Sequence, residues 1–370
     1  MPTRSARPSR PRPPDRPTST YELTFLPGLA DIVQSEVADA LGPRTPVLLL
    51  PGREDSMLVR HGGRPDALRA LRTVVAVSQV LSFPVPRPRS LSSGEYFPAI
   101  VDAVQRSARL DGARAFRFEA AGSDSLVFQR LGTQLAHATG LRQEHDHSED
   151  AGAVVLRFRR TPQLDAAGPR PDGWDVLVRL GSRPSSARDW RVADYPGAVN
   201  ATIAAAIVRL AGIRAEDRVV NLMCGSGTLL VERLLAGPAA SAVGVDVSPE
   251  AIAAATANVA AAGLAADVEL VRADIADETW WPTVPADLVL ADPPWGTLTG
   301  SHATNEAAHQ EVLRVAHAIT RPGAQLAVLT HEVTIMDRVL RGTALWRERA
   351  EVRVFQKGHH PRVYLLRRAD

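Results

Sequence analysis

The tetrapeptide Asp292-Pro293-Pro294-Trp295 is the segment of this chain best suited to chemistry. It follows an apolar run at 288–291 that reads as a strand, so a carboxylate stands at a strand's end. Two prolines stiffen the backbone and remove two N–H donors, leaving carbonyl oxygens free to accept. Asp292 and a proline carbonyl can then accept both hydrogens of one amine. An exocyclic amine on a heteroaromatic ring is a weak nucleophile, because its lone pair is delocalised into the ring. Acceptors that hold it in line, and disperse the positive charge that develops on it, act by orientation and electrostatics. Trp295 offers an indole face on which a flat base can stack.

A second constellation comes earlier in the chain. A strand at 218–222, containing Asn221, runs into Cys224-Gly225-Ser226-Gly227-Thr228 and then a helix at 229–235. Glycines at the carboxyl end of a strand let backbone approach a ligand closely. Nineteen residues after Gly227, Asp246 ends the next strand at 242–247, where a carboxylate can accept from ribose hydroxyls, with Val247 beside it. A dinucleotide fingerprint would place its third glycine at position 230, where this chain has Leu230. One strand further on, Asp274-Ile275 follows residues 268–272. A carboxylate here can accept from a ligand's amine, or serve as an ordinary turn former or helix cap.

These residues need a scaffold. From position 198 onward, short apolar strands alternate with helices: a helix at 200–211, the strand and helix just named, a helix at 249–262, a strand at 268–272, a helix at 306–319 and a strand at 325–330. That alternation predicts an α/β fold with a parallel, doubly wound sheet. Residues 351–356 and 363–366 flank Lys357-Gly358-His359-His360-Pro361 and read as a hairpin, the antiparallel ending of a methyltransferase Rossmann-like domain. The front half has a different character. Residues 21–25 alternate as a strand, 29–41 as a helix, 47–50 and 56–59 as strands, and 66–80 as a second helix. A further unit is expected from a helix at 96–109, a strand at 115–120, a helix at 125–139 and a strand pair at 154–158 and 174–180. Residues 183–196 form a polar connector with Trp190 embedded. The expected organisation is a basic Pro-rich arm at 1–19, units at 20–89 and 90–184, a linker at 185–197 and the catalytic domain at 198–370.

Composition narrows the setting. A chain of 370 residues accommodates two or three domains, and 45% hydrophobic residues suffice for ordinary cores. No apolar run approaches the roughly 18 residues of a membrane span. A single cysteine, Cys224, excludes a disulfide framework and a cysteine zinc site, so a reducing, cytoplasmic setting is expected. His145 and His147 lie in an acidic run without further ligand spacing and read as solvated loop, so no metal is expected. Residues 1–195 carry a net charge of +5 and residues 196–370 a net charge of −3, which fits a nucleic-acid-binding module joined to a catalytic domain. Arginine supplies all but one of the 43 basic residues; it suits phosphate recognition, and GC-rich coding explains it equally well.

Asp292-Pro293-Pro294-Trp295 resembles the catalytic motif of amino-methyltransferases that carry Asp/Asn-Pro-Pro-aromatic, in the glycine-loop-first order of the guanine-N2 RNA methyltransferases. Residues 21–41, 115–118, 126–141 and 174–191, together with Pro196-Gly197-Ala198-Val199-Asn200, look like the THUMP-containing members of that group. The resemblance covers about residues 20–370. It implies a ferredoxin-like unit and a THUMP domain that grip structured RNA, often tRNA, ahead of a domain that uses S-adenosylmethionine (SAM). It places Gly225 and Gly227, with Cys224, Ser226 and Thr228, against the cofactor, Asp246 and Val247 at its ribose, and Asp274 and Ile275 at its adenine. Asp292 and Pro293 would hold the target amine and Trp295 stack on the base, with Pro294 completing the catalytic motif. Asn221 stands where the family often has an acidic residue. A 23S rRNA guanine-N2 methyltransferase, an adenine-N6 methyltransferase, a protein-glutamine methyltransferase and an RNA-binding assembly factor with an inactive fold are the competing readings.

Overall fold

The computed structural model describes residues 18–119, 125–145, 152–163, 172–294, 302–356 and 358–369. Trp295, His147, Lys357 and all but the last two residues of the N-terminal arm lie outside them.

The front half is one sheet with its helices packed against it. Its elements are β1 (Ser19–Thr24), α1 (Ala30–Leu41), β2 (Val47–Leu49), β3 (Ser56–His61), α2 (Asp66–Arg69), β4 (Ala76–Phe83), α3 (Phe97–Arg109), β5 (Ala115–Glu119), α4 (Leu126–Thr139), β6 (Arg142–Gln143), β7 (Ala153–Arg160) and β8 (Trp174–Arg179). The eight strands run in the order β2-β3-β1-β4-β8-β7-β5-β6. The helix expected over 66–80 is a correction. Only one turn, α2, is helical, and residues 76–83 form β4. The run Val74-Val75-Ala76-Val77 is rich in β-branched residues, which favour strands. β4 pairs with β1 on one side and β8 on the other, so it ties both ends of the front half into a single sheet.

The back half begins at α5 (Ala201–Ala211), capped by Asn200, whose side chain accepts from the Thr202 N–H. It continues through β9 (Arg218–Leu222), α6 (Thr228–Ala236), β10 (Ser241–Asp246), α7 (Pro249–Ala261), β11 (Glu269–Arg272), β12 (Ala286–Ala291), α8 (His302–Ile319), β13 (Thr320–Thr330), α9 (Val333–Arg341), β14 (Trp346–Arg353) and β15 (Arg362–Arg368). Strand order is β11-β10-β9-β12-β13-β15-β14. β9 to β13 are parallel, and β15 runs antiparallel to both β13 and β14, giving the doubly wound sheet and the terminal hairpin. Helix α9, an amphipathic segment, was not expected from the sequence.

Alternate residues of each central strand face opposite layers, as the period of two requires. Val219, Leu288 and Leu290 pack with Ile203 and Ile207 of α5, while Val220, Val289 and Ala291 pack with Val312 and Leu313 of α8. The first of these clusters also contains Leu23, Val33, Val37 and Val59 of the front half. Front and back halves therefore share one core across α1 and α5.

A buried charge network reinforces that seam. Glu232 of α6 is fully buried and accepts from Arg72 Nε at 2.7 Å and Arg188 Nε at 2.8 Å. Arg188 in turn donates to the Arg72 carbonyl at 2.7 Å. Among the described residues, no helix is long and apolar enough to cross a membrane.

Candidate functional site

The carboxyl ends of β9, β10 and β12 meet at one edge of the sheet, which brings the sequence-selected residues together. The glycine loop leaves β9 through three left-handed residues: Met223 at φ 50°, Gly225 at φ 53° and Gly227 at φ 76°. Met223 is the one non-glycine residue with positive φ among those described, a conformation that costs of order 1 kcal/mol or more and that surrounding structure must enforce. Here the enforcement is visible. Cys224 N–H donates to the Val245 carbonyl at 2.9 Å and Gly225 N–H to Asp246 Oδ2 at 2.8 Å, so β10 holds the loop. Gly227 caps α6 in the left-handed conformation, and a Cβ there would stand 3.3 Å from Ala255 Cβ.

Asp246 is held from both sides. Its second oxygen accepts from Ser248 N–H at 2.9 Å, and Ser248 caps α7 through Ala251 N–H. Each carboxylate oxygen keeps a lone pair for a further donor such as a ribose hydroxyl. Val247, next to it, is 66% exposed, an apolar surface at the rim of the loop. Asp274 is exposed, and Ile275 is buried beneath it. Their carbonyls accept from two indoles, Trp280 Nε1 at 2.9 Å and Trp281 Nε1 at 3.1 Å.

Asn221 and Asp292 each carry a buried side-chain oxygen, Oδ1, with no hydrogen-bond partner among the described residues. Asn221 lies opposite Leu290 in the β9–β12 pairing, and its Nδ2 donates to the Leu290 carbonyl at 3.1 Å. Unpaired buried acceptors are costly and point to a donor that arrives with a ligand. Burial, with no compensating group among the described residues, pushes the Asp292 carboxyl up to about 8. The residue as a whole is half-buried, because it opens into a cavity of about 230 Å³ whose walls include Val199, Asn200, Leu329, His331, Gln356 and His359. Pro293 is buried and Pro294 half-buried beside it. Cys224 is buried, and burial together with Asp246 pushes its thiol far up, so it stays protonated and is no nucleophile. Ser226 and Thr228 are buried and share a 3.3 Å contact between hydroxyls. Among the described residues, no three His, Cys, Asp or Glu side chains are placed to hold a metal.

Several residues at this edge were not singled out in the sequence. Asn258 of α7 is fully buried and accepts from the N–H groups of both Val192 and Ala193 at 2.9 Å, while its Nδ2 donates to the Ser226 carbonyl at 3.1 Å. Arg191 donates to the Val199 carbonyl at 2.6 Å and to Thr228 Oγ1 at 2.8 Å. The polar connector is thereby strapped onto the glycine loop, which places the Tyr195 ring beside Gly225. An Asn amid the alanines of α7 was the available signal. His331, Gln356 and His359 carried none, because they reach the cavity only through strand pairing.

Residues 188–362 match UPF0020, the RMKL-like methyltransferase domain. A tRNA (guanine(6)-N2)-methyltransferase of Thermus thermophilus is 28% identical over 356 residues, 93% of this chain and 98% of that protein. A tRNA (guanine(10)-N2)-dimethyltransferase of Methanothermobacter thermautotrophicus is 27% identical over 161 residues, 43% of this chain and 46% of that one. The crystal structure of TrmN from Thermus thermophilus superposes with a TM-score of 0.70 at 24% identity, covering 95% of this chain and 99% of that one. SMU.472, solved in complex with SAH, superposes with a TM-score of 0.64 at 13% identity, covering 94% and 97%. The sheet order, the glycine loop at the end of β9 and these likenesses give the back half the fold of a SAM-dependent methyltransferase, and residues 188–362 are matched by the RMKL-like methyltransferase domain.

Proposed function

We propose that this chain is a SAM-dependent RNA methyltransferase that modifies the N2 amine of guanine, with tRNA as its substrate. One observation carries the reading: the buried Asp292 oxygen, without a partner among the described residues, beside a small cavity at the glycine-loop edge of the sheet. The relatives named for tRNA guanine-N2 methylation support both base and RNA class.

The residues fit the cofactor. Asn221 Oδ1 is a buried acceptor awaiting a donor such as an ammonium. The left-handed Gly225 and Gly227 carry no Cβ, so the loop's backbone can approach a ligand closely there. Asp246 with Val247 would hold the ribose, and Asp274 with Ile275 the adenine. Bound SAM supplies an electrophilic methyl group carried on a sulfonium.

Asp292 and the Pro293 carbonyl would accept the two N–H groups of the target amine, with Pro294 stiffening the turn and Trp295 stacking on the base. As the amine gains its methyl group it becomes cationic, and the Asp292 carboxylate is placed to take the proton it loses. In this reading residues 20–89 form a ferredoxin-like unit and 90–184 a THUMP domain that grip the RNA, and 198–370 carry out the chemistry. The shared core across α1 and α5 would hold grip and active site at a fixed separation.

The test is methylation of separate unmodified tRNA and rRNA pools, followed by nucleoside mass spectrometry. N2-methylguanosine in tRNA is the expected result. Product in rRNA, or N6-methyladenosine, would replace the substrate assignment. Product in neither pool would point to an assembly factor. The variant Asp292→Ala is expected to abolish transfer while retaining SAM binding, and full activity in it would overturn the role given to Asp292.

A further inference from the structure

The cavity that Asp292 faces has a second wall, on the opposite side from the glycine loop. It is built from three side chains that methyl transfer does not use: His331, just past the end of β13, and Gln356 and His359, in the turn between β14 and β15. We propose that His331, Gln356 and His359 read the Watson–Crick edge of the target base and so make the enzyme specific for guanine. This rests on the guanine-amine reading of the site.

The geometry is built rather than incidental. β13 is hydrogen-bonded to β12, with Val328 paired to Ala291, so residues just past both strand ends stand at the same edge as Asp292. Thr330 and His309 fix the turn that carries His331. His309 Nδ1 lies 2.7 Å from the Asn305 carbonyl, which can only accept, so that nitrogen bears the proton. His309 Nε2 then accepts from the Thr330 hydroxyl at 2.8 Å, and the same hydroxyl accepts from Glu332 N–H at 3.0 Å. His309 and Thr330 are both buried, and burial keeps the His309 imidazole neutral by pushing its pKa down.

The hairpin turn is as constrained. Gln356 and His359 face each other through paired backbone bonds of 3.0 Å and 2.9 Å, with Gly358 left-handed between them at φ 80°. The strand leading into it is clamped to the β1–α1 turn: Phe355 N–H donates to the Pro27 carbonyl at 3.1 Å, and a Cβ on Gly28 would collide with the Arg353 carbonyl. The hairpin brings the His359 ring to 5.6 Å from the His331 ring, edge to face at 77°.

The chemistry of this wall matches guanine. With N2 held by Asp292 and Pro293, the next groups along guanine's edge are N1–H, a donor, and O6, an acceptor. Reading them requires one acceptor and one donor side by side. A glutamine amide presents both side by side, and a neutral imidazole supplies a donor or an acceptor from one of two nitrogens that point apart. Burial and the neighbouring His359 push the His331 imidazole down to about 4, so it is uncharged at neutral pH. Adenine offers an acceptor at N1 and carries its amine where guanine has O6, which reverses the pattern. A site whose polar groups are left unpaired by the wrong base rejects it far more strongly than an apolar pocket does.

The experiment uses the full-length protein and the RNA in which it makes N2-methylguanosine. The target guanine is replaced by 2-aminopurine, which keeps the N2 amine and lacks both N1–H and O6. Wild-type protein is expected to lose roughly 10- to 100-fold or more in kcat/KM on the analogue. In His331→Ala and Gln356→Ala, the guanine reaction should fall roughly 10- to 100-fold, the analogue reaction should change little, and the ratio should approach unity. His331→Gln, which keeps a donor and an acceptor, should recover part of the discrimination. SAM affinity measured by calorimetry should be unchanged, which separates base reading from a folding defect. Variants that lose guanine activity yet keep the wild-type ratio overturn the proposal, as does a wild-type protein that accepts both bases equally. Wild-type protein that makes no N2-methylguanosine overturns the guanine reading itself, and this one with it.

Discussion

Replacing Asp292 by asparagine tests the electrostatics of the site directly. In the unfolded chain the carboxyl titrates near 3.8, and in the folded protein burial pushes it up to about 8. Between those values the folded state holds a proton that the unfolded state has released. Stability therefore falls as pH rises from about 4 to about 8 and levels off above. At about 1.36 kcal/mol per pH unit, the whole rise corresponds to at most roughly 5–6 kcal/mol. Asp292 opens into the cavity and is only half-buried, so water takes a share, and we expect about 1–3 kcal/mol. Asparagine has nearly the same shape and does not titrate. Urea unfolding of the two proteins from pH 4 to 9 should give equal stabilities at the acid end and a variant more stable by about 1–3 kcal/mol at pH 8 and above. Saturating SAM, a cation, should flatten the difference by favouring the carboxylate. In the same variant the amide oxygen still accepts from the amine, so methyl transfer should fall by about 10-fold, the share that the carboxylate's charge adds. A stability difference that stays constant from pH 5 to 9 would mean that Asp292 is solvated like a surface carboxylate, and the argument for its chemical role would fail.

Other perturbations probe the supports of the site. Gly227→Ala forces an L side chain into φ 76° against Ala255, and should cost about 1–2 kcal/mol in denaturant unfolding and weaken SAM binding in calorimetry. Glu232→Ala leaves Arg188 buried without its carboxylate, and the denaturation midpoint should reveal a loss of about 3–5 kcal/mol. Trp280→Phe removes the 2.9 Å bond to the Asp274 carbonyl, and SAM affinity followed by the remaining tryptophan fluorescence should fall roughly two- to tenfold, with kcat preserved. The protein's kcat/KM should rise with pH toward about 8, since the free enzyme must ionise Asp292 before it can receive the amine.

Local pattern was enough to read much of this protein. The alternation of β-branched apolar runs with helices from residue 198 onward carried the doubly wound sheet, because such runs bury both faces only in a parallel sheet covered on two sides. The glycine loop, Asp246 and Asp292 could be singled out because each stands at a strand's carboxyl end, where chain order alone places ligands. Local pattern failed at residues 66–80, where an apolar run of ambiguous period reads as one helix. Tertiary pairing of β4 with β1 and β8 made it a turn of helix and a strand.

What only the tertiary structure decided is which distant residues share a surface. Nothing in the chain order of Asp292, His331, Gln356 and His359 says that they line one cavity; strand pairing between β12, β13 and β15 brings them there. Nor does sequence show that Glu232, Arg72 and Arg188 lie together in the seam between the two halves. The types of residue that could do the chemistry are a one-dimensional property, legible from spacing. Their burial, their unpaired oxygens and the shift in Asp292's titration are properties of packing, because a carboxylate's environment is set by neighbours that the chain reaches only after it has folded.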